Sequence, residues 1–164
     1  MAELTNLEEK LAEVTGLAMA AEAAGGKVSK LTRQQDKDLV PTLQRMAKEA
    51  AETTQRCEQV AGSFEGKKTA ILAEARGVKK KAAQMMSTYL DEDADALDGF
   101  EFLTMAEAAE VGHWSVLETM TESAGNPQVR ELVEWALPIQ ERHFQDVLAG
   151  SRKLAAEEDP NGLA

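Results

Sequence analysis

The chain has 164 residues, of which 43% are hydrophobic and only 4% aromatic, and its formal net charge at pH 7 is -11. This length suits one domain, so we expect a single domain over residues 1–164 with a frayed tail over 158–164. The negative charge argues against nucleic acid as a partner, because binding it requires a basic face. The one basic run, Lys79 to Lys81, is interpreted as a solvated helix face.

The cysteine content and the apolar pattern bear on where the protein works. Cys57 is the only cysteine, so no intrachain disulfide can form. The opening residues, MAELTNLEEKL, lack the basic and apolar regions of a signal peptide, and no apolar run approaches the ~18 residues of a membrane span. We therefore expect a cytoplasmic protein with no membrane partner.

Two helices are predicted in the first part of the chain, over about residues 4–33 and 39–61, because apolar residues recur there at helical spacing. Gly25 and Gly26 indicate either a kink in the first helix or the close approach of another helix. The polar segment RQQDKD separates the two helices. Asp36 or Asp38 is suited to cap the second helix, whose first turn tolerates Pro41.

A shorter amphipathic helix is predicted over about residues 69–89 and is interpreted as a crossover connection. The acidic run DEDADALD then opens a long helix, since acids suit the positive end of a helix dipole. That helix should stop at Gly125, with Asn126 as N-cap and Pro127 in the first turn of a last helix that reaches about residue 157. Four long helices with one short crossover helix indicate an all-α bundle.

Polar residues interrupt the apolar stripes of the last two helices at matching positions. Glu107 and Glu110 occupy stripe positions between Leu103 and Trp114. Gln140 and His143 occupy the stripe of the last helix. Glu110 and Gln140 each lie 15 residues from Gly125, and Glu107 and His143 each lie 18. In an antiparallel hairpin these four side chains share one level, about 22 to 27 Å from the turn.

The first two helices repeat this pattern more weakly, because Glu22 and Glu49 flank their stripes at similar distances from the first reversal. A bundle could therefore gather Glu22, Glu49, Glu107, Glu110, Gln140 and His143 into one polar belt. Burying four carboxylates together is very unfavourable, and two divalent cations would cancel their charge. Oxygen ligands with an imidazole suit Fe or Mn.

The sequence resembles the bacterial YciE/YciF stress-protein family of the ferritin-like superfamily. The resemblance covers residues 18–148 and rests on AKEAAETTQRCEQV, AEAAEVGHWSVLETMTESAGN and LVEWALPIQERH, in that order. It implies a ferritin-like four-helix bundle, a homodimer and a centre of two divalent metal ions, Fe or Mn, acting on dioxygen or peroxide. By this resemblance Glu22, Glu49, Glu107 and Glu110 match metal-binding acids.

Two positions depart from the family pattern. Gln140 stands where the family has a glutamate, and a neutral amide cannot bridge two cations as a carboxylate does. Thr53 stands where many ferritin-like relatives have a polar or histidine side chain. His113 forms an alternative Glu-x-x-His pair with Glu110, so the sequence leaves His113 and His143 open as the histidine ligand.

Three functions are consistent with these residues. The first is a dimetal-carboxylate protein for iron, oxygen or peroxide chemistry in a stress response, with possible oxidase-like or peroxidase-like activity. The second is a non-catalytic ferritin-like scaffold or stress protein with a degenerate metal site. The third is a helical interaction module in which the polar layer fixes helix register. No nucleophile triad, phosphate-binding glycine loop or paired-cysteine zinc motif is present.

Overall fold

The computed structural model describes residues 2–162, so Met1, Leu163 and Ala164 lie outside it. Within the described residues the chain is all-helical, without a strand. A short 3-10 turn, Lys37–Leu39, precedes the second of five α-helices: α1 (Asn6–Gln35), α2 (Val40–Ala61), α3 (Lys68–Tyr89), α4 (Ala96–Ala124) and α5 (Pro127–Ala155). The bounds predicted for α1, α2, α3 and α5 agree with those of the structure within two residues. Of the predicted frayed tail, residues 158–162 are described and exposed, and the last two lie outside the described residues.

α1 runs without a break through its two adjacent glycines. Thr5 and Glu8 form a capping box at its start, in which each side chain accepts from the other's backbone N–H. Gly25 faces α2, and a Cβ added there would lie 3.4 Å from the Cβ of Ala47. Of the two interpretations of this glycine pair, a kink or the close approach of another helix, the structure therefore supports the second at Gly25.

α3 covers the residues predicted for it to within one position, and its 22 residues equal the length of α2. Ala70, Ile71 and Ala75 are buried and give it an apolar face that packs along α1. At Gly16 the two backbones come so close that an added Cβ would lie 2.4 Å from the carbonyl oxygen of Ala75.

The reversal between α4 and α5 has the predicted chemistry. Gly125 adopts a left-handed conformation with φ of 64°, which terminates α4. The Asn126 side-chain oxygen accepts hydrogen bonds from the backbone N–H groups of Gln128 and Val129, each at 3.1 Å. Pro127 then occupies the first turn of α5. α4 and α5 consequently pack against each other as an antiparallel pair.

The apolar interior consists of two clusters, one toward each end of the helices. The first cluster includes Val14, Cys57, Trp114 and Val133, and the second includes Ala24, Met46, Leu103 and Val147. On α4 the residues between Leu103 and Trp114 include the two stripe glutamates, and on α5 the residues between Ala136 and Val147 include the stripe glutamine and histidine. A polar layer therefore separates two apolar cores. No helix among the described residues is both long and apolar enough to traverse a lipid bilayer.

Candidate metal centre

Four polar side chains form the buried layer: Glu107 and Glu110 from α4, and Gln140 and His143 from α5. Each is only 2 to 4% exposed. The helical register of α4 and α5 fixes these side chains inward, because each lies at a stripe position between large buried apolar residues. The layer predicted from the sequence is thus buried as expected.

Glu107 is the acceptor at the centre of the layer. Gln140 donates a hydrogen bond from its amide nitrogen to Glu107 Oε2. The Nδ1 atom of His143 lies 3.7 Å from the same oxygen, which is a charge contact rather than a hydrogen bond. The sequence paired Gln140 with Glu110 by level, whereas both α5 side chains contact Glu107.

His143 lies between two carboxylates that belong to different helices. Its Nε2 atom is 2.7 Å from Oε2 of Glu49 on α2, while its Nδ1 faces Glu107. Burial lowers the pKa of His143, but the negative charge of Glu107, together with the hydrogen bond and negative charge of Glu49, outweighs burial and raises that pKa above its usual value. The imidazole therefore tends to carry a positive charge between these two acids.

Glu49 lies at the edge of the layer and is half-buried, with 22% of its side chain exposed. It receives hydrogen bonds from His143 and from Arg142, whose Nη2 is 2.6 Å from Oε1. Arg45, one turn earlier on α2, approaches to 4.0 Å. Burial raises the pKa of Glu49, yet the hydrogen bonds from His143 and Arg142 bring it below its ordinary value. Glu49 is therefore ionised at neutral pH.

Glu110 differs from the other acids because nothing donates to it. No hydrogen bond reaches its carboxyl group from any residue in 2–162, although the side chain is 97% buried, being 3% exposed. Burial, followed by the negative charge of Glu107, raises the pKa of Glu110 well above its ordinary value. Burial likewise raises the pKa of the nearby Cys57 thiol to about 12, with a smaller effect from Glu110.

Basic side chains face two of the three acids of the layer. His143 lies between Glu107 and Glu49, and Arg142 donates to Glu49. Arg142 and Arg45 are contributors that the sequence analysis missed. The signals for them were available, since Arg142 directly precedes His143 and Arg45 stands at the i,i+4 distance from Glu49.

Three other sequence candidates lie apart from this layer. The predicted belt placed Glu22 inside, but Glu22 is exposed on α1 and has no hydrogen bond or ion pair to the layer within the described residues. It flanks the α1 stripe beside Ala21, and the rotation of α1 turns that flank to solvent. Thr53 is buried and donates to the Glu49 backbone oxygen at 2.9 Å. His113 pairs at the surface with Glu13, Nδ1 to Oε2 at 3.1 Å, so His143 is the interior histidine.

The donor set is that of a hard or borderline cation, with carboxylate oxygens and one imidazole from α2, α4 and α5. A cation would also satisfy Glu110, a buried acid to which none of the described residues donates. In their present rotamers, however, no three His, Cys, Asp or Glu side chains converge on a common point anywhere in the described part of the chain. His143 and Glu107 are held by hydrogen bonds and charge contacts to protein groups instead, so a bound ion would need local rotamer changes.

Comparison with known proteins does not identify the chain. No protein-family model matches it, and neither the curated proteins nor the solved structures contain a match.

Proposed function

We propose that this chain is a ferritin-like metal-carboxylate protein of the YciE/YciF type, in which the polar layer binds divalent Fe or Mn. The observation that carries the proposal is Glu110, a residue only 3% exposed, which lies beside Glu107 and receives no hydrogen bond from residues 2–162. An uncompensated buried acid is unfavourable unless it is protonated or meets a cation.

In the proposed centre Glu49, Glu107, Glu110 and His143 are ligands, and Gln140 orients Glu107 or ligates through its amide oxygen. Divalent Fe or Mn in such a site supplies the chemistry that reduces dioxygen or peroxide. The two apolar clusters keep bulk water from either end of the layer. Arg142 holds Glu49 toward His143 through its hydrogen bond. The homodimer and the stress-related role belong to the same proposal.

The number of ions depends on α1. The resemblance implies two ions, and the second would need Glu22 to turn inward, because α1 contributes no carboxylate to the buried layer in the described structure. We therefore expect one ion per chain while Glu22 stays outside and two if it turns inward. Glu22→Ala separates these cases, since it lowers the stoichiometry only in the second.

Elemental analysis of protein purified with Fe(II) or Mn(II) supplied tests the proposal. The wild type should retain a stoichiometric amount of metal, and Glu107→Ala/Glu110→Ala should retain none. The matched control is Glu101→Ala/Glu118→Ala, which removes two exposed acids from the same helix and should leave metal content unchanged. Circular dichroism confirms that each variant is helical. A folded wild type without metal after this supply would refute the proposal.

A second candidate function is a scaffold or interaction protein whose layer is purely structural. It is favoured by the contacts from Glu49 through His143 to Glu107 and Gln140, which join four side chains without a metal. Gln140→Glu distinguishes the two. If the layer is a degenerate metal site, this variant binds a metal that the wild type does not. If the wild type already binds metal, the scaffold alternative is wrong.

A further inference from the structure

A cleft opens between α3 and α4 because these two helices hardly touch. α3 packs broadly along α1 and only marginally against α4, so α1 forms the floor of the cleft. Its volume is about 260 Å³. The lining is mostly apolar and rich in small residues from all three helices, among them Ala20, Ala21, Ala82, Ala83, Ala106 and Ala109. Its polar members are Glu107, Glu110, His113 and the exposed Lys79.

The two ends of the cleft differ in character. Met85 and Met105 line it and are 53% and 38% exposed, which places them at the mouth. Glu107 and Glu110 also line it and are 2% and 3% exposed, which places them at its inner end. An apolar passage thus leads from solvent to two buried acids.

Only one of these two acids is free to accept a ligand. Glu107 is already the acceptor for Gln140 and faces His143. Glu110 has no donor among the described residues, although its carboxyl group is almost wholly buried and borders the cleft. A buried acceptor without a partner at the end of an apolar pocket is where the polar group of an amphipathic ligand is best bound.

The dimensions and charge define the ligand. An engineered cavity of about 150 Å³ binds benzene, which has six non-hydrogen atoms. A cleft of about 260 Å³ therefore has room for roughly ten non-hydrogen atoms. Alanine and methionine side chains suit an aliphatic chain, since methionine adapts to irregular apolar shapes. Glu110 is the lining acid to which no described residue donates, and an ammonium group is the strongest donor to a carboxylate.

We propose that the cleft between α3 and α4 binds a medium-length aliphatic primary amine, with its chain along the alanine and methionine lining and its ammonium group donating to Glu110. This binding goes beyond the proposed metal chemistry and does not depend on it. An alcohol of the same length lacks the charge, and a carboxylate of the same length has no proton donor for Glu110.

Calorimetric titration of chelator-treated protein with octylamine, 1-octanol and octanoate, at concentrations below aggregation, tests the head group. Octylamine should bind at least tenfold more tightly than either of the other two. Glu110→Gln should weaken octylamine binding at least tenfold, and the matched control Glu101→Gln, on the exposed face of α4, should leave it unchanged. Equal affinity for octanoate, or full octylamine affinity in Glu110→Gln, would overturn the proposal.

A steric variant tests the position of the chain. Ala82→Leu places a larger side chain into the cleft from α3 and should reduce octylamine affinity at least tenfold. Ala73→Leu is the matched control, because Ala73 is half-buried on the same helix and does not line the cleft. Unchanged binding in Ala82→Leu would place the ligand elsewhere. Because the titration is metal-free, an absence of metal binding by the wild type would refute the proposed function and leave this test intact.

Discussion

The two buried acids of α4 should respond oppositely to loss of charge. Glu107 and Glu110 lie three residues apart and are equally buried, but Glu107 accepts from Gln140 and faces His143, whereas Glu110 has no donor. In metal-free buffer we therefore expect Glu110→Gln to raise the free energy of unfolding and Glu107→Gln to lower it. Each variant serves as the matched control for the other.

The size of the Glu110 effect follows from proton linkage. Its pKa is raised in the folded chain, so above the ordinary glutamate pKa of about 4.3 the folded state binds more protons than the unfolded state. The contribution to stability is complete below that pKa and is lost as the pH rises through the folded-state pKa. Each pH unit in this window costs about 1.4 kcal/mol, so the advantage of Glu110→Gln over the wild type should grow with pH by up to that amount per unit.

The loss for Glu107→Gln should be about 1.5 to 3 kcal/mol, the contribution of a hydrogen bond to a charged group. The substitution also leaves His143 with one acidic neighbour instead of two. For a chain of this length a change of 1 kcal/mol shifts the melting temperature by about 2 to 4 °C. Glu107→Gln should thus melt roughly 3 to 12 °C below the wild type, and Glu110→Gln should melt above it at pH 7.5.

Urea unfolding followed by circular dichroism at pH 4.5, 6 and 7.5, with a chelator present, measures this difference. The advantage of Glu110→Gln over the wild type should be near zero at pH 4.5 and grow with pH. A destabilised Glu110→Gln variant in metal-free buffer would refute the reasoning, because it would mean that the Glu110 carboxyl has a partner. An advantage independent of pH would equally contradict the linkage argument.

Three further predictions concern packing and caps. Cys57 is fully buried and its thiol pKa is raised to about 12, so it should react with a disulfide reagent only after unfolding, as measured by absorbance with and without urea. Gly16→Ala should destabilise the fold by about 1 to 3 kcal/mol, because the added Cβ would clash with the Ala75 carbonyl oxygen. Gly26→Ala has open space around the added Cβ and should stabilise the fold by about 0.5 to 1 kcal/mol. Thermal unfolding of the two variants measures both effects. Asn126→Ala removes the α5 cap and should cost about 1 kcal/mol in urea unfolding.

The helices and the buried layer on α4 and α5 were predictable because local chemistry determines them. Gly125, Asn126 and Pro127 fix the reversal within three residues, which sets the register between α4 and α5. The large apolar residues around Glu107 and Glu110 then leave only one rotation of α4 that buries the stripe. Metal binding by these residues stays a prediction.

The position of Glu22 could not be predicted in the same way. α1 is rich in alanine and contacts α2, α3 and α4, so its stripe defines its rotation poorly and a residue at the flank can face either way. The close approach of α3 to α1 at Gly16 depends on packing between distant segments, as does the cleft toward α4. The pairing of Gln140 with Glu107 depends on side-chain rotamers, which helical level alone does not determine.

The proposed metal ion and the proposed amine both require the carboxyl group of Glu110, so they cannot bind to it at the same time. Hydrogen bonds and charge pairs within the protein already account for Glu107, Gln140 and His143, but they leave the Glu110 carboxyl without a partner. A divalent cation and an ammonium group would satisfy it by the same physics, positive charge against a desolvated acid, and the carboxyl cannot direct its oxygens to both. Manganese and octylamine should therefore compete: saturating octylamine should raise the apparent Kd for Mn(II), and by linkage Mn(II) should raise the apparent Kd for octylamine by the same factor. Independent binding of both ligands at saturation would mean that at least one of them does not reach Glu110.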